Sequence, residues 1–507
     1  MSWSAEDAGL TVGIVGSGVM GAGIAQIAAA AGLEVKLLDA REGAADKAVD
    51  QIRARYARQV EKSRMSEAAA DAAGLRLQVA GSVSELADAQ LVVEAIVEDL
   101  EAKQALLREL ESVVSPECIL ATNTSSLSVT AIASALEQPA RLAGFHFFNP
   151  VPLMKVVEVI DGVLTSPDCC ERLVALARRM GHTPVRASDT PGFLVNHAGR
   201  GLGTEGLRVL EEGIADVATI DRIMREGAGF RMGPFELFDL TGLDVSHPVM
   251  ESIYNQFYQD PRYRPSHETR RRLAAGLLGR KSGRGFYDYA DGEQQVPEEP
   301  PAPDTLPSRV WVSHAEQEDA VRVAEVLHHC GVAVDEAEQP GEDALCVLTP
   351  VGQDVSSAAL AQGLDARRCV GIDTLFGIER RRTLMYSPVT HPGFVRQAHG
   401  LFASDGVPVS VVRDSPGFVM QRVVAVIVNI ACEIAQRRIG TPEDIDRAVT
   451  LGLGYPQGPL AMGDAIGPAR VLQILRGLET YYGDPRYRPS AWLTRRAQLG
   501  VSLLTMD

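Results

Sequence analysis

The 507-residue sequence predicts a doubly wound α/β sheet followed by an all-α domain, the pair being duplicated with a degenerate second copy. Three observations predict it. Short β-rich runs alternate with Ala-rich segments from Thr11 to Ile160. The texture turns to amphipathic helices with Gly and Pro breaks after Thr190-Pro191-Gly192. A seven-residue segment, DPRYRPS, occurs at both Asp260 and Asp484.

The β-rich runs are TVGIVG, VKLLD, QLVVEAI, CILATNT, LAGFHFF and VVEVI, separated by helical stretches such as Ala22 to Ala31 and Glu101 to Val114. That alternation builds a parallel sheet. Residues 1–188 are therefore expected to form the sheet domain, and 189–290 a helical domain ending in KSGRGFYDY at Lys281 to Tyr289. Residues 291–308, DGEQQVPEEPPAPDTLPS, read as a solvated, rather stiff linker.

Beyond the linker the sequence repeats itself. SDTPGFLVN at Ser188 matches RDSPGFVMQ at Arg413, and Gly233-Pro234 matches Gly458-Pro459, both 225 positions on. RLAGFH at Arg141 aligns with RCVGID at Arg368 at an offset of 227. The repeat thus includes a second, degenerate sheet domain over 309–412 and a second helical domain over 413–507.

Composition limits the partners. Lys and Arg number 49 against 66 Asp and Glu, a net charge of −17, which argues against wrapping nucleic acid or an anionic membrane. The longest apolar stretch, Val423 to Cys432, is half a bilayer span and reads as a buried helix. The first residues, MSWSAEDAGL, lack the basic flank and apolar core of a secretory signal, so a cytoplasmic protein is expected. Seven cysteines without a C-x-x-C imply reduced, structural thiols and no metal site.

GSGVMG, Gly16 to Gly21, follows an apolar strand and opens an Ala-rich helix, the context that makes a G-x-G-x-x-G a Rossmann-type dinucleotide loop. Gly16 permits the turn, Gly18 lets backbone N–H groups approach a pyrophosphate, and Gly21 lets helix and strand pack. Val19 and Met20 complete the loop. Asp39 ends the second strand 18 residues past Gly21, where an acid accepts from a ribose 2′-OH and repels a 2′-phosphate. NAD is favoured, although Arg41 leaves an opening for NADP.

His146, alone in the apolar run LAGFHFFNP, could be a core residue. Glu158 in the adjacent strand raises it to a candidate base, because a carboxylate there could fix the tautomer of the imidazole. Together GSGVMGAGIA, VEAIVED, TNTSSL, GFHFFNPVPLMKVVEVI, TPGFLVN and KSGRGFYDY resemble short-chain L-3-hydroxyacyl-CoA dehydrogenases over Thr11 to Tyr289.

The resemblance implies NAD-dependent oxidation of the 3-hydroxyl of an (S)-3-hydroxyacyl-CoA thioester, with His146 as base and Glu158 holding it. It places Ser125 and Asn196 near the substrate oxygen and gives Asn149 a supporting role. It also assigns Glu98, Lys103, Ser125, Asn149 and Lys281 to the cofactor. Two-copy chains without a hydratase domain are similar to the bacterial branch acting on 3-hydroxyadipyl-CoA in phenylacetate breakdown, with a 3-hydroxybutyryl-CoA branch as the alternative. A non-catalytic NAD sensor would have no reason to retain His146, Glu158, Ser125, Asn149 and Asn196.

At the 227 offset, His146, Asn149 and Glu158 map to Asp373, Phe376 and Met385, and Asn196 maps to Gln421. The second sheet opens with SRVWVSHAEQEDAV and has no glycine loop. One active site is expected, in the first half. In the family the helical domain makes the dimer contact, so the second one is expected to fill that place within the chain as an intrachain pseudo-dimer, with or without a homo-oligomer, the alternative being a tethered accessory domain that does not touch the first.

Overall fold

The computed structural model describes residues 3–507, which form two compact units. One comprises the chain up to His197 together with Arg437–Leu453. The other comprises Ala198–Gln436 together with Gly454–Asp507.

The first unit is built on eight strands: β1 (Thr11–Val15), β2 (Glu34–Leu38), β3 (Leu77–Val79), β4 (Leu91–Glu94), β5 (Ile119–Thr122), β6 (Leu142–Phe147), β7 (Val156–Asp161) and β8 (Thr183–Ser188). Their order is β3-β2-β1-β4-β5-β6-β7-β8, and only β6 with β7 runs antiparallel. Val12, Ile14, Val35, Leu37, Val93, Ala121 and Phe145 share one core with Ile24, Ala28 and Leu173 of the flanking helices. Burial by helices on both faces is why these strands read as continuous apolar runs. The order reverses between β1 and β4, the switch point where such sheets open a ligand crevice.

The second unit holds a hairpin of β9 (Asp288–Ala290) and β10 (Glu293–Gln295) and a six-stranded sheet. Its strands are β11 (Val310–Val312), β12 (Val334–Asp335), β13 (Leu345–Leu348), β14 (Cys369–Ile372), β15 (Arg382–Tyr386) and β16 (Val409–Arg413), ordered β12-β11-β13-β14-β15-β16. Again one pair, β14 with β15, is antiparallel. The apolar stretch Val423 to Cys432 lies in the Met420–Gln436 helix, buried along nearly all its length. Gly201 of the Arg200–Glu211 helix lets the two helices approach, since a Cβ there would stand 2.9 Å from Ile427 Cγ1. Among the described residues no helix is long and apolar enough to cross a membrane.

The duplication is visible in matching details. Phe193 and Phe418 of the two PGF segments both take a left-handed backbone, φ 49° and 53°. Asp189 accepts from the Val129 and Thr130 amides, as Asp414 does from Val355 and Ser356. In the first unit Ser188 N–H donates to the Ile439 carbonyl (2.8 Å), and in the second Arg413 N–H donates to that of Ile214 (3.0 Å). The two DPRYRPS segments meet each other. Arg262 donates to the Arg488 carbonyl and Arg486 to that of Pro261, a reciprocal contact between the two copies of the segment.

Segment 291–308 is mostly exposed, yet it is tied down rather than free in solvent. Glu299 receives two bonds of 2.8 Å from the Arg381 guanidinium, and the Pro297 carbonyl accepts from Arg222. Proline and glutamate, read from composition as solvation, here make specific contacts.

Candidate active site

The glycine loop has the geometry a dinucleotide requires. Gly16 has φ +103°, and a Cβ on it would collide with the Ala95 carbonyl. A Cβ on Gly21 would collide with the carbonyl of Gly16. Nothing lies within 4 Å of the Cβ position of Gly18, so backbone there is open to a ligand. Gly18 also caps the Val19–Ala30 helix without any side-chain bond, which leaves its first N–H groups for an anion. Val19 is exposed, and Met20 packs partly buried on the core.

Asp39 sits at the end of β2, where Oδ1 accepts from Arg41 N–H and Nε and Oδ2 from the amide and hydroxyl of Ser17. The Arg41 guanidinium, with Ser17 helping, holds this carboxyl far below the usual carboxylate range. Arg41 is thus drawn onto the acid.

Glu98 gathers the next group. Its Oε1 accepts from the Thr124 hydroxyl (2.7 Å), the Ser125 amide (2.8 Å) and the Ser126 amide (3.0 Å). Burial pushes its carboxyl up, but these donors and the Lys103 ammonium outweigh burial and hold it at about 2. Lys103, expected among the cofactor contacts, is 1% exposed, and its Nζ lies 2.6 Å from Glu94 Oε1 and 3.3 Å from Glu98 Oε2. Lys281 belongs to the other unit, where its ammonium is paired with Asp244.

The antiparallel register of β6 and β7 sets His146 directly opposite Glu158. His146 Nδ1 lies 2.6 Å from Glu158 Oε2. Glu158 is fully buried, and its Oε1 accepts from the amides of Leu194 (2.8 Å) and Val195 (2.9 Å). The carboxylate is thereby locked in rotation, and the imidazole keeps its proton on Nδ1. Phe148 and Phe193 flank the ring at 4.4 and 5.7 Å between centroids. Nε2 has no hydrogen-bond partner among the described residues, so it is the nitrogen free to take a proton. Ser125 and the partly exposed Asn196 lie in the same unit. Asn149, expected to support the dyad, is exposed and starts a cis Asn149–Pro150 bond. Within the structure Glu158 is held by the Leu194 and Val195 amides.

Residues 11–190 match the model of the 3-hydroxyacyl-CoA dehydrogenase NAD-binding domain, and the model of that family's C-terminal domain matches 192–289 and again 417–502. The chain belongs to the 3-hydroxyacyl-CoA dehydrogenase family. It is an NAD-dependent oxidoreductase that converts (S)-3-hydroxyacyl-CoA to 3-oxoacyl-CoA.

Relatives of both lengths exist. The chain is 39% identical over 490 residues to "3-hydroxyadipyl-CoA dehydrogenase" of Escherichia coli, covering 96% of this chain and 98% of that one. A probable 3-hydroxybutyryl-CoA dehydrogenase of Deinococcus radiodurans is 41% identical and matches 55% of this chain over 99% of its own. A crystal structure titled as 3-hydroxybutyryl-CoA dehydrogenase from Escherichia coli K12 is similar at TM-score 0.86 and 36% identity, covering 97% of this chain and 99% of that one.

Two features of the site were missed in the sequence. Leu194 and Val195 act through backbone amides, which no residue-type pattern shows, although the repeated PGF marks the turn that aims them. Asn123, whose Oδ1 accepts from Phe147 N–H at 2.9 Å, ties β5 to the strand of His146 and was hidden in a turn-like TNTSS.

The second copy needs one correction. Asp373 does stand where His146 would, but its amide donates to Thr383, so Thr383 and not Met385 occupies the place of Glu158. The hairpin is two residues shorter, and the offset falls from 227 to the 225 seen downstream. The switch point of the second sheet carries charged side chains in place of a glycine loop. Where the order reverses between β11 and β13, Asp319 sits in the first turn of the Gln317–His329 helix, and Arg470 pairs with it. Arg322 donates to the carbonyls of Thr374 and Phe376.

Asp373 is 1% exposed, and its Oδ2 lacks a partner among the described residues. Burial pushes its carboxyl up to about 6. A raised acid holds its proton in the native state while the unfolded chain releases it between pH 4 and 6, so its ionisation destabilises the fold above that window. Asp373→Asn is expected to stabilise the protein by about 1–2 kcal/mol at pH 7.5. That gain should shrink toward pH 4. Urea unfolding at the two pH values checks it.

Proposed function

We propose that His146 Nε2 takes the proton of the substrate 3-hydroxyl while Glu158 holds and polarises the imidazole. The Nδ1–Oε2 contact of 2.6 Å, with both lone pairs of Glu158 Oε1 occupied, is the observation that carries this reading. Bound NAD supplies the hydride acceptor. The glycine loop, Asp39 and Glu98 would hold it, with Ser125 and Asn196 near the substrate oxygen.

The CoA thioester would lie along a cavity of about 370 Å³ in the first unit, lined by Arg55, Arg58, Lys62, Arg64 and Asn149. Its cations suit phosphate groups in a chain of net charge −17. For the acyl group we take 3-hydroxyadipyl-CoA, from the relative matched over nearly its whole length, and hence a place in phenylacetate breakdown. The similar structure's title favours 3-hydroxybutyryl-CoA as the second reading. We also take the domains as 1–188, 189–290, 309–412 and 413–507, the protein as cytoplasmic, and its thiols as reduced.

Steady-state rates with the two thioesters test the substrate. The expected result is a kcat/KM at least about tenfold higher for 3-hydroxyadipyl-CoA, the scale of one partnered charge. A higher value for 3-hydroxybutyryl-CoA would reverse the assignment.

A further inference from the structure

The Pro442–Leu453 helix belongs to the half of the chain without a catalytic dyad, yet it is part of the first compact unit. It packs on the segment that serves Glu158. A Cβ at Gly452 would stand 3.0 Å from both Val195 methyl carbons and 3.4 Å from Val156 Cγ1. A Cβ at Gly440, just before the helix, would stand 2.9 and 3.0 Å from the Leu194 methyls and 3.1 Å from the Arg186 carbonyl. Ser188 N–H to the Ile439 carbonyl (2.8 Å) anchors the approach. Leu194 and Val195, the two residues these glycines touch, are the two whose amides hold Glu158 Oε1, and both are buried.

We infer that the Pro442–Leu453 helix and its flanking Gly440 are a positioning element for the active site of the other half. They press the Leu194 and Val195 amides onto Glu158, so the first sheet alone does not make a complete site. Gly452 and Gly440 are positioning residues that act through side-chain contact with Val195 and Leu194. A rigid backing is needed because the amides act by geometry. Displacing a catalytic group by about 1 Å can cost up to ~100-fold in rate. The inference rests on reading His146 and Glu158 as the dyad, which substitution of His146 tests separately.

The experiment uses the full chain with Gly452→Val, which drives new methyls into Val195. The expected result is a kcat reduced about tenfold or more, with KM changed much less and NADH affinity unchanged. Adding Val195→Ala, which removes the two methyls in the way, should restore most of the lost kcat. General destabilisation would not be relieved in this way. Glu443→Gln, on the exposed side of the same helix, should leave kcat unchanged. If Gly452→Val does not fold, Gly452→Ala decides, with an expected loss of about threefold. A folded Gly452 variant with wild-type kcat, or a loss that Val195→Ala leaves in place, would overturn the inference, whereas wild-type turnover in His146→Ala would overturn the dyad itself.

Discussion

His146→Ala is expected to lower kcat by about 10³-fold, within the range that a positioned general base contributes, while the dissociation constant for NADH stays within about twofold of wild type. Glu158→Gln should lower kcat by a comparable factor for a different reason. Its amide could keep one oxygen on the Leu194 and Val195 amides, but it would present an NH₂ group toward Nδ1, where a carboxylate now lies at 2.6 Å. The tautomer that leaves Nε2 able to accept a proton would then lose its partner. Stopped-flow hydride transfer and NADH titration of each variant separate chemistry from binding. Turnover near wild type in either would exclude the dyad, and loss of NADH binding would show that the cofactor site had been disturbed instead.

The parts of this site that residue type and spacing encode were legible in the sequence. Gly16, Gly18 and Gly21 announce a turn whose steric demands the structure repeats, and Asp39 falls at the strand end where a ribose-reading acid belongs. His146 and Glu158 were paired through their adjacent strands, and the β6–β7 register places them side by side. What escaped was carried by backbone. The Leu194 and Val195 amides could be any residue's, and only the left-handed φ of Phe193 aims them. The burial of Lys103 between Glu94 and Glu98 was likewise not legible, because it depends on tertiary packing.

The repeat was legible for a related reason. Identities such as DPRYRPS survive where a segment packs against its own copy, and Arg262 and Arg486 each bond the backbone of the opposite copy. Register within the degenerate sheet was not, since a hairpin shortened by two residues leaves no motif to betray the slip from Met385 to Thr383. Composition could not show how the exposed linker is anchored, because Glu299 owes its place to Arg381, 82 positions away.

The second large effect concerns the joint between the copies. Arg422 should be among the residues whose loss costs most, about 3–5 kcal/mol, the usual penalty for orphaning one side of a buried ion pair. Its guanidinium is fully buried. It donates to Glu205 at 2.9 Å, to Glu212 at 2.7 Å and to the Tyr482 and Tyr487 hydroxyls. Burial alone would lower its basicity, but Glu205 and the neighbouring acids raise it, so the charge is kept. Glu205, 1% exposed on the Arg200–Glu211 helix, then keeps Arg486 at 3.5 Å and the Tyr487 hydroxyl at 2.7 Å. Arg422→Ala removes the nearest cation from that carboxylate. Replacing both partners, as in Arg422→Met with Glu205→Leu, removes the orphan and should recover at least half of the loss, since an apolar pair of similar volume often matches a buried ion pair. Equilibrium urea unfolding of the three variants gives the comparison. The same reasoning applies to a chain cut near Pro300, which loses the Met420–Gln436 helix and bares the face around Gly201. The fragment should self-associate or precipitate. A monomeric, fully active fragment, or an Arg422→Ala variant as stable as wild type, would show that the second copy is not needed to complete the first.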